Sequence, residues 1–420
     1  MGGKALKISR VVCVPGRSGF FADDAAAIAA GARHDGFSYV GEPRTPGFRQ
    51  IREPGEALSV LLVLEDGQVA HGDCAAVQYS GVGGRDPLFD ARRAAMVVNS
   101  EIAPALVGAD ASDFRGLAAR IEDIAVSGTR LHTAIRYGVG QALLDASALA
   151  RRRTMAEVVR DDYRTGVAIA AVPMFVQSGD DRYDNVDKMI LKEAGALPHG
   201  LVNEVHSKLG SDGELLAEYL AWVRDRILAL RVREDYLPVL HVDVYGTPGA
   251  AFGGSTTRIA DYLARLGEIS EPFGLRVEQP LDAGSTNAQI AAMAALRSAL
   301  AERGSAVQLV VDEWCNSRAD IEAFVDAGAA DVIHVKTPDL GCVSQTIEAL
   351  LHVRRSGIAA YCGGSCNETD RSAQVTAHLA MACGATQVLA KPGMGVDEGM
   401  MIVGNEMART EALVALRAGG

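Results

Sequence analysis

The sequence has no apolar run close to the roughly 18 residues that cross a bilayer, no basic excess and no repeated cysteine pairing. Its 41 Lys and Arg stand against 53 Asp and Glu, a formal charge of −12. That balance argues against a nucleic-acid surface, and it leaves room for acids gathered around a cation. The first residues, "MGGKALKISRVV", contain no apolar signal core, and Leu6 stands where an acylation signal needs Ser or Thr. A cytoplasmic protein is expected, with neither membrane nor nucleic acid as partner. The seven cysteines are scattered, and "CGGSC" (Cys362, Cys366) is the only close pair. No second pair or His-x-x-x-His run completes a zinc site, so reduced thiols are expected. "GVGGRD" and "PGMGVDEG" are Gly-rich but lack the strand-then-helix setting of a dinucleotide fingerprint.

What is present is a long, well-mixed globular chain: 420 residues, 48% hydrophobic and 22% charged. That length exceeds one ordinary core and predicts two domains. Residues 1–165 mix strands and helices. Ala57 to Tyr79 reads as two antiparallel strands joined at Asp66-Gly67. "DPLFDARRAAMVVNSEIAPALVG" and "LHTAIRYGVGQALLDASALARRR" carry helical apolar spacing, with Arg151 to Arg153 on a solvated face. This is an α+β pattern. Residues 166–420 alternate short apolar runs with amphipathic segments. Eight candidate strands are "VAIAAVPMFVQ", "LVNEV", "LPVLHVDVYG", "LRVEQP", "VQLVVDEW", "DVIHVKTP", "IAAYCGG" and "TQVLAKPG". Their number and rhythm predict a (β/α)8 barrel, with an open doubly wound sheet as the rival.

Catalytic groups of such barrels sit at the C-terminal ends of strands. Those ends carry Asp243, Glu278, Asp312 and Lys336, spaced 35, 34 and 24 residues apart. A single strand-end acid would be a solvated rim residue. Three on successive strands converge, and their repulsion calls for a cation; oxygen donors select a hard ion such as Mg²⁺. In "DVIHVKTPDLG", alternation turns Val332, His334 and Lys336 to one face and Ile333 and Val335 to the other. A lysine beside a dication has a lowered pKa and becomes a usable base. It could take a proton next to a carboxylate whose developing charge the metal stabilises.

The segments "HVDVYGTPG", "EQPLD", "VVDEWCNS", "VKTPDLG", "GGSCNETD", "KPGMGVDEGMMIVGNEMART" and "CAAVQYSGVGGRDPLF" resemble the 3-methylaspartate ammonia-lyases of the enolase superfamily over nearly the whole chain. The resemblance implies an enolase-like α/β fold, an N-terminal α+β capping domain on a modified (β/α)8 TIM-type barrel. It implies loss of ammonia from (2S,3S)-3-methylaspartate to give mesaconate, with Mg²⁺ required, K⁺ as activator and a homodimer as the assembly. By motif it makes Asp243, Glu278 and Asp312 the metal ligands and Lys336 the base at C3. His199 would face Lys336 and touch the metal-bound carboxylate. Gln177, Ser365 and Cys366 would grip the other carboxylate, and Gln78 would face the amine. Phe175, Tyr361 and Leu389 would wall the alkyl pocket. From the residues alone, His199 reads as a buried, satisfied histidine, Cys366 as a buried small residue, and Phe175 and Leu389 as core.

Two positions depart from the family pattern: His334 replaces a glutamine and Ser365 a threonine. Serine keeps the hydroxyl. His334 is expected as a neutral hydrogen-bond donor to the substrate in a reshaped pocket, which leaves the preferred amino diacid open. Two other readings remain. One is an enolase-type dehydratase or epimerase on another hydroxy- or amino-diacid. The other is a binding protein without turnover, against which the complete acid triad and base argue.

Overall fold

The computed structural model describes residues 5–419. A three-stranded antiparallel sheet leads the chain, with strand Arg52–Leu64 in the middle between Ile8–Asp23 and Val69–Cys74. The expected hairpin is there: Leu58 pairs with Cys74 and Val63 with Val69, and Gly67 takes the left-handed φ of 87° that its turn requires. Alternating residues of the central strand (Leu58, Val60, Leu62, Leu64) are buried. Helix Thr133–Arg151 packs on the Val69–Cys74 edge. The approach is close because Gly138 faces the strand backbone; a Cβ there would lie 2.3 Å from the Cys74 nitrogen. Arg151 does not lie on a solvated face. It pairs with Asp162 at 2.6 Å, leaving only Arg152 and Arg153 exposed.

Eight parallel strands then close a barrel in ring order: Met174–Val176, Ala196–His199, Val239–Asp243, Leu275–Glu278, Gln308–Val311, Val332–Val335, Ala359–Cys362 and Gln387–Ala390. They are numbered here one to eight. The barrel and its α+β cap match the expected fold class. Alternation holds in strand six. Val332 joins Phe175, Ala196, Val310, Tyr361 and Leu389 inside the barrel, whereas Ile333 and Val335 join the core beneath the helices.

Two strand expectations are corrected. "LVNEV" (Leu201–Val205) is not a strand, and strand two is instead Ala196–His199. Left-handed backbone at His199, Gly200 and Leu201 (φ 67°, 77° and 45°) ends that strand before the apolar run begins. Strand one is shorter than "VAIAAVPMFVQ", starting only at Met174, because Pro173 offers no N–H to the ladder.

Ring order places strand two opposite strand six, four positions apart in a ring of eight. His199 and Lys336 therefore enter the barrel mouth from opposite sides. Asp243 and Glu278 are direct partners in the ladder. Glu278 in turn pairs with Val310, so Asp312 stands two residues further up, just past the end of strand five.

Candidate active site

A cavity of about 560 Å³ opens at the C-terminal mouth of the barrel beneath the cap. Every expected site residue lines it except Leu389, whose side chain lies within the barrel interior. A larger cavity, about 830 Å³, lies in the cap and contains none of them. The smaller cavity holds the chemistry.

Glu278 is the best-anchored acid. His241, fully buried and stacked on Phe175 at 4.1 Å, approaches Glu278 Oε2 through Nε2 at 2.9 Å. Gln387 Nε2 lies 2.9 Å from His241 Nδ1 and donates to it, which leaves the proton on Nε2 to be given to Glu278. The other oxygen, Oε1, meets His334 Nδ1 at 2.7 Å. Burial raises the Glu278 carboxyl, but His334 and the two imidazole hydrogen bonds outweigh it and draw it down to about 2.

His334 also lies 3.0 Å from Asp312 Oδ1 and stacks on Tyr361 at 4.2 Å. The ring fits because residue 363 is glycine; a Cβ there would meet Nε2 at 1.9 Å. Burial lowers the His334 pKa, while Asp312 and Glu278 pull it up to about 9. Against that pull, a backbone hydrogen bond favours a neutral tautomer. The Gly364 N–H donates to Nε2 at 3.1 Å, so Nε2 keeps its lone pair and Nδ1 bears the proton. A proton on Nδ1 makes His334 a donor towards the acids, which differs from the expected donation to substrate: one ring nitrogen faces Glu278 and Asp312 and the other accepts from Gly364. Replacing His334 with glutamine is expected to shift the ratio of kcat/KM between 3-methylaspartate and other 3-substituted aspartates by about tenfold. A substrate panel with an unchanged profile would remove His334 from specificity.

Asp243 is turned to His199, whose Nε2 lies 3.5 Å away. Burial and the charge of Glu278 push Asp243 up to about 6, against the opposing pull of His199. Lys336 Nζ stands 2.7 Å from Asp312 Oδ1 and 3.3 Å from Glu313 Oε1. Burial lowers the ammonium's pKa, but Asp312 and Glu313 prevail and raise it. Glu313 is shared with Arg85, a cap residue at 3.0 Å that also pairs with Asp339.

Two polar atoms of this cavity are buried without a polar partner, Gln177 Oε1 and His199 Nδ1. Buried polar atoms are normally satisfied, so two orphans in one cavity mark the place of a ligand. Donor atoms of Glu278, Asp312 and His334 lie within 4.8 Å of one another and could hold a cation. Asp243 shares the cavity but is turned to His199 and is not in that group, so this trio differs from the expected set of Asp243, Glu278 and Asp312. An Mg²⁺ ion fits these residues.

Ser365 Oγ accepts from the backbone N–H groups of Gln78 at 3.3 Å and Asn367 at 3.1 Å, leaving its own O–H to donate. Cys366 is held as a neutral thiol, pushed up to about 12 by burial.

His241, Arg85 and Glu313 were not singled out from the sequence. His241 had a signal, a histidine two residues before Asp243 on the same strand face. Arg85 sits in "GVGGRD", a glycine-rich run with no local pattern that sets the arginine apart.

A capped parallel barrel with acids and a lysine at the ends of neighbouring strands is the layout of an enolase-superfamily enzyme. Muconate lactonizing enzyme from Pseudomonas fluorescens shares this fold at 17% identity, with a TM-score of 0.59 over 91% of this chain and 88% of that one. The family models for the N-terminus and C-terminus of methylaspartate ammonia-lyase match residues 6–164 and 166–416. Methylaspartate ammonia-lyase from Clostridium tetanomorphum is 58% identical over 98% of this chain and 100% of its own length. A Mg complex of that organism's beta-methylaspartase superposes with a TM-score of 0.94, covering 98% of this chain and 100% of the other. The Citrobacter amalonaticus methylaspartate ammonia lyase containing (2S,3S)-3-methylaspartic acid is 49% identical, with a TM-score of 0.95 over 97% and 100% of the two chains. The chain belongs to the methylaspartate ammonia-lyase family.

Proposed function

We propose that this chain is a Mg²⁺-dependent carbon–nitrogen lyase that converts (2S,3S)-3-methylaspartate to mesaconate and ammonia, or a close 3-substituted aspartate to the correspondingly substituted unsaturated diacid and ammonia. The observation that carries the reading is the meeting of Asp243, Glu278 and Asp312 with Lys336 and His199 in one cavity, base and histidine on opposite sides. Lys336 removes the C3 proton, the C3–H electron pair forms the C2=C3 double bond, and the C2–N bond breaks with its pair leaving on nitrogen. His199, across the barrel, contacts the carboxylate next to C3 and reaches the other face of that carbon. Ser365, Cys366 and Gln177 hold the second carboxylate, and Gln78 faces the amine. Phe175 and Tyr361 bound the alkyl group, with Leu389 behind them.

Asp243, Glu278 and Asp312 would hold Mg²⁺. When bound, the ion supplies positive charge beside the substrate carboxylate and relieves the hold of Asp312 on Lys336. Glu278→Gln is expected to weaken Mg²⁺ binding by at least tenfold in calorimetry, since it removes one of three charged donors. Wild-type affinity in that variant would take Glu278 out of the ligand set. By the same family reading K⁺ is an activator, the assembly is a homodimer and the location cytoplasmic; light scattering on the purified protein checks the dimer.

Incubation with 3-methylaspartate and Mg²⁺ tests the activity. Ultraviolet absorbance of a conjugated diacid should rise together with released ammonia. Neither signal, in protein that still binds the metal, would refute the lyase reading.

A further inference from the structure

The Gln78 amide is not free to choose which end it shows the cavity. Its Nε2 lies 2.7 Å from Asp23 Oδ2, and a carboxylate accepts but does not donate, so nitrogen must be the atom facing Asp23. Oε1 is thereby turned to the other side, where the Cys366 thiol approaches at 3.4 Å as a donor. Asp23 is itself immobilised. It is 1% exposed, and Arg52 grips both of its oxygens, Nε to Oδ1 at 2.7 Å and Nη2 to Oδ2 at 2.6 Å. Arg52 donates its remaining group to the Phe37 carbonyl at 2.8 Å and lies 4.5 Å from the Phe37 ring centre and 5.0 Å from that of Tyr39. The backbone is pinned as well, since the Asp23 N–H donates to the Gln78 carbonyl at 3.0 Å.

We propose that Asp23, clamped by Arg52, is a positioning residue that fixes the Gln78 amide with its oxygen towards the cavity, so that the site accepts hydrogen bonds from the substrate amine. The proposal rests on the lyase reading above and adds a determinant of amine recognition to it. An ammonium or ammonia offers N–H donors, which pair with an amide oxygen. The flipped amide would present a donor to a donor, leaving both groups unpaired in a buried place. Asp23 touches neither substrate nor reacting atoms and acts only through Gln78.

The test is the reverse reaction, addition of ammonia to mesaconate, with KM read separately for the two substrates. Asp23→Ala frees the amide to rotate. The KM for ammonia should rise about tenfold, the scale of one buried hydrogen bond, while that for mesaconate stays within about twofold. Asp23→Asn, which keeps an acceptor, should recover much of the loss. In a Gln78→Ala background, Asp23→Ala should add nothing further to the ammonia KM, because the two act in series. The double replacement Asp23→Ala with Arg52→Met removes the ion pair as a unit, and it carries the same measurement if the lone Arg52 unfolds the single variant. Equal rises in both KM values, or additive effects of Asp23→Ala and Gln78→Ala, would overturn the proposal and leave the lyase reading intact. A wild-type enzyme that does not aminate mesaconate would overturn both.

Discussion

Replacing Lys336 with alanine should reduce turnover of the (2S,3S) substrate at least 10³- to 10⁴-fold, the range a positioned general base contributes. Lys336 is nearly buried, and its Nζ is 2.7 Å from Asp312, so it lies where proton abstraction and charge stabilisation meet. His199 comes from the opposite strand and so is not placed to take its role on this face. The loss should appear in kcat with calorimetric Mg²⁺ binding retained or tightened, because the substitution removes a cation that competes for Asp312. Activity within tenfold of wild type would assign the C3 proton to another group. Loss of metal binding with activity would make Lys336 a structural partner of Asp312.

The second large effect concerns stability. Lys391 and Glu368 form an ion pair at 2.7 Å in which both side chains are wholly buried. The ammonium spends its three donors on Glu368, on Thr337 Oγ1 at 3.0 Å and on the Gly363 carbonyl at 3.0 Å. Glu368 also accepts from the cap's Tyr137 O–H at 2.7 Å and from the Ser365 N–H at 2.8 Å. Cap, base strand and carboxylate-gripping loop are tied together at this point. Lys391→Ala leaves Glu368 charged, buried and short of its main partner, a change that costs about 3–5 kcal/mol. Denaturant unfolding should show that loss. The double variant Lys391→Met with Glu368→Gln should recover a large part of it, because it removes the charges together. A single variant as stable as wild type would mean that the pair is not charged or that water reaches Glu368.

The sequence made some of this site visible and hid the rest for physical reasons. Acids at strand ends stand out because each terminates a short apolar run, and the spacing of Asp243, Glu278, Asp312 and Lys336 follows one βα unit after another. The inward placement of His334 and Lys336 follows from period two. Strand two is hidden in the sequence because Pro198 and three left-handed residues interrupt Ala196–Leu201, and the apolar "LVNEV" next to it carries the stronger strand pattern. Partnerships across long separations leave no local trace. Asp23 with Arg52 and Gln78, Glu368 with Lys391, and Arg85 with Glu313 and Asp339 are each set by the closed fold. His334 is an intermediate case. Its departure from the family glutamine was visible, but its place between Glu278 and Asp312 depends on the space that Gly363 leaves.

The decisive measurement is turnover of (2S,3S)-3-methylaspartate with Mg²⁺ in deuterated water, following ammonia release and the proton spectrum of the substrate together. An ammonia-lyase releases one ammonia for each mesaconate formed, and both fail together in Lys336→Ala. Deuterium entering the substrate, or inversion at C2 or C3, with no ammonia released would contradict it and make the chain an epimerase on the same scaffold.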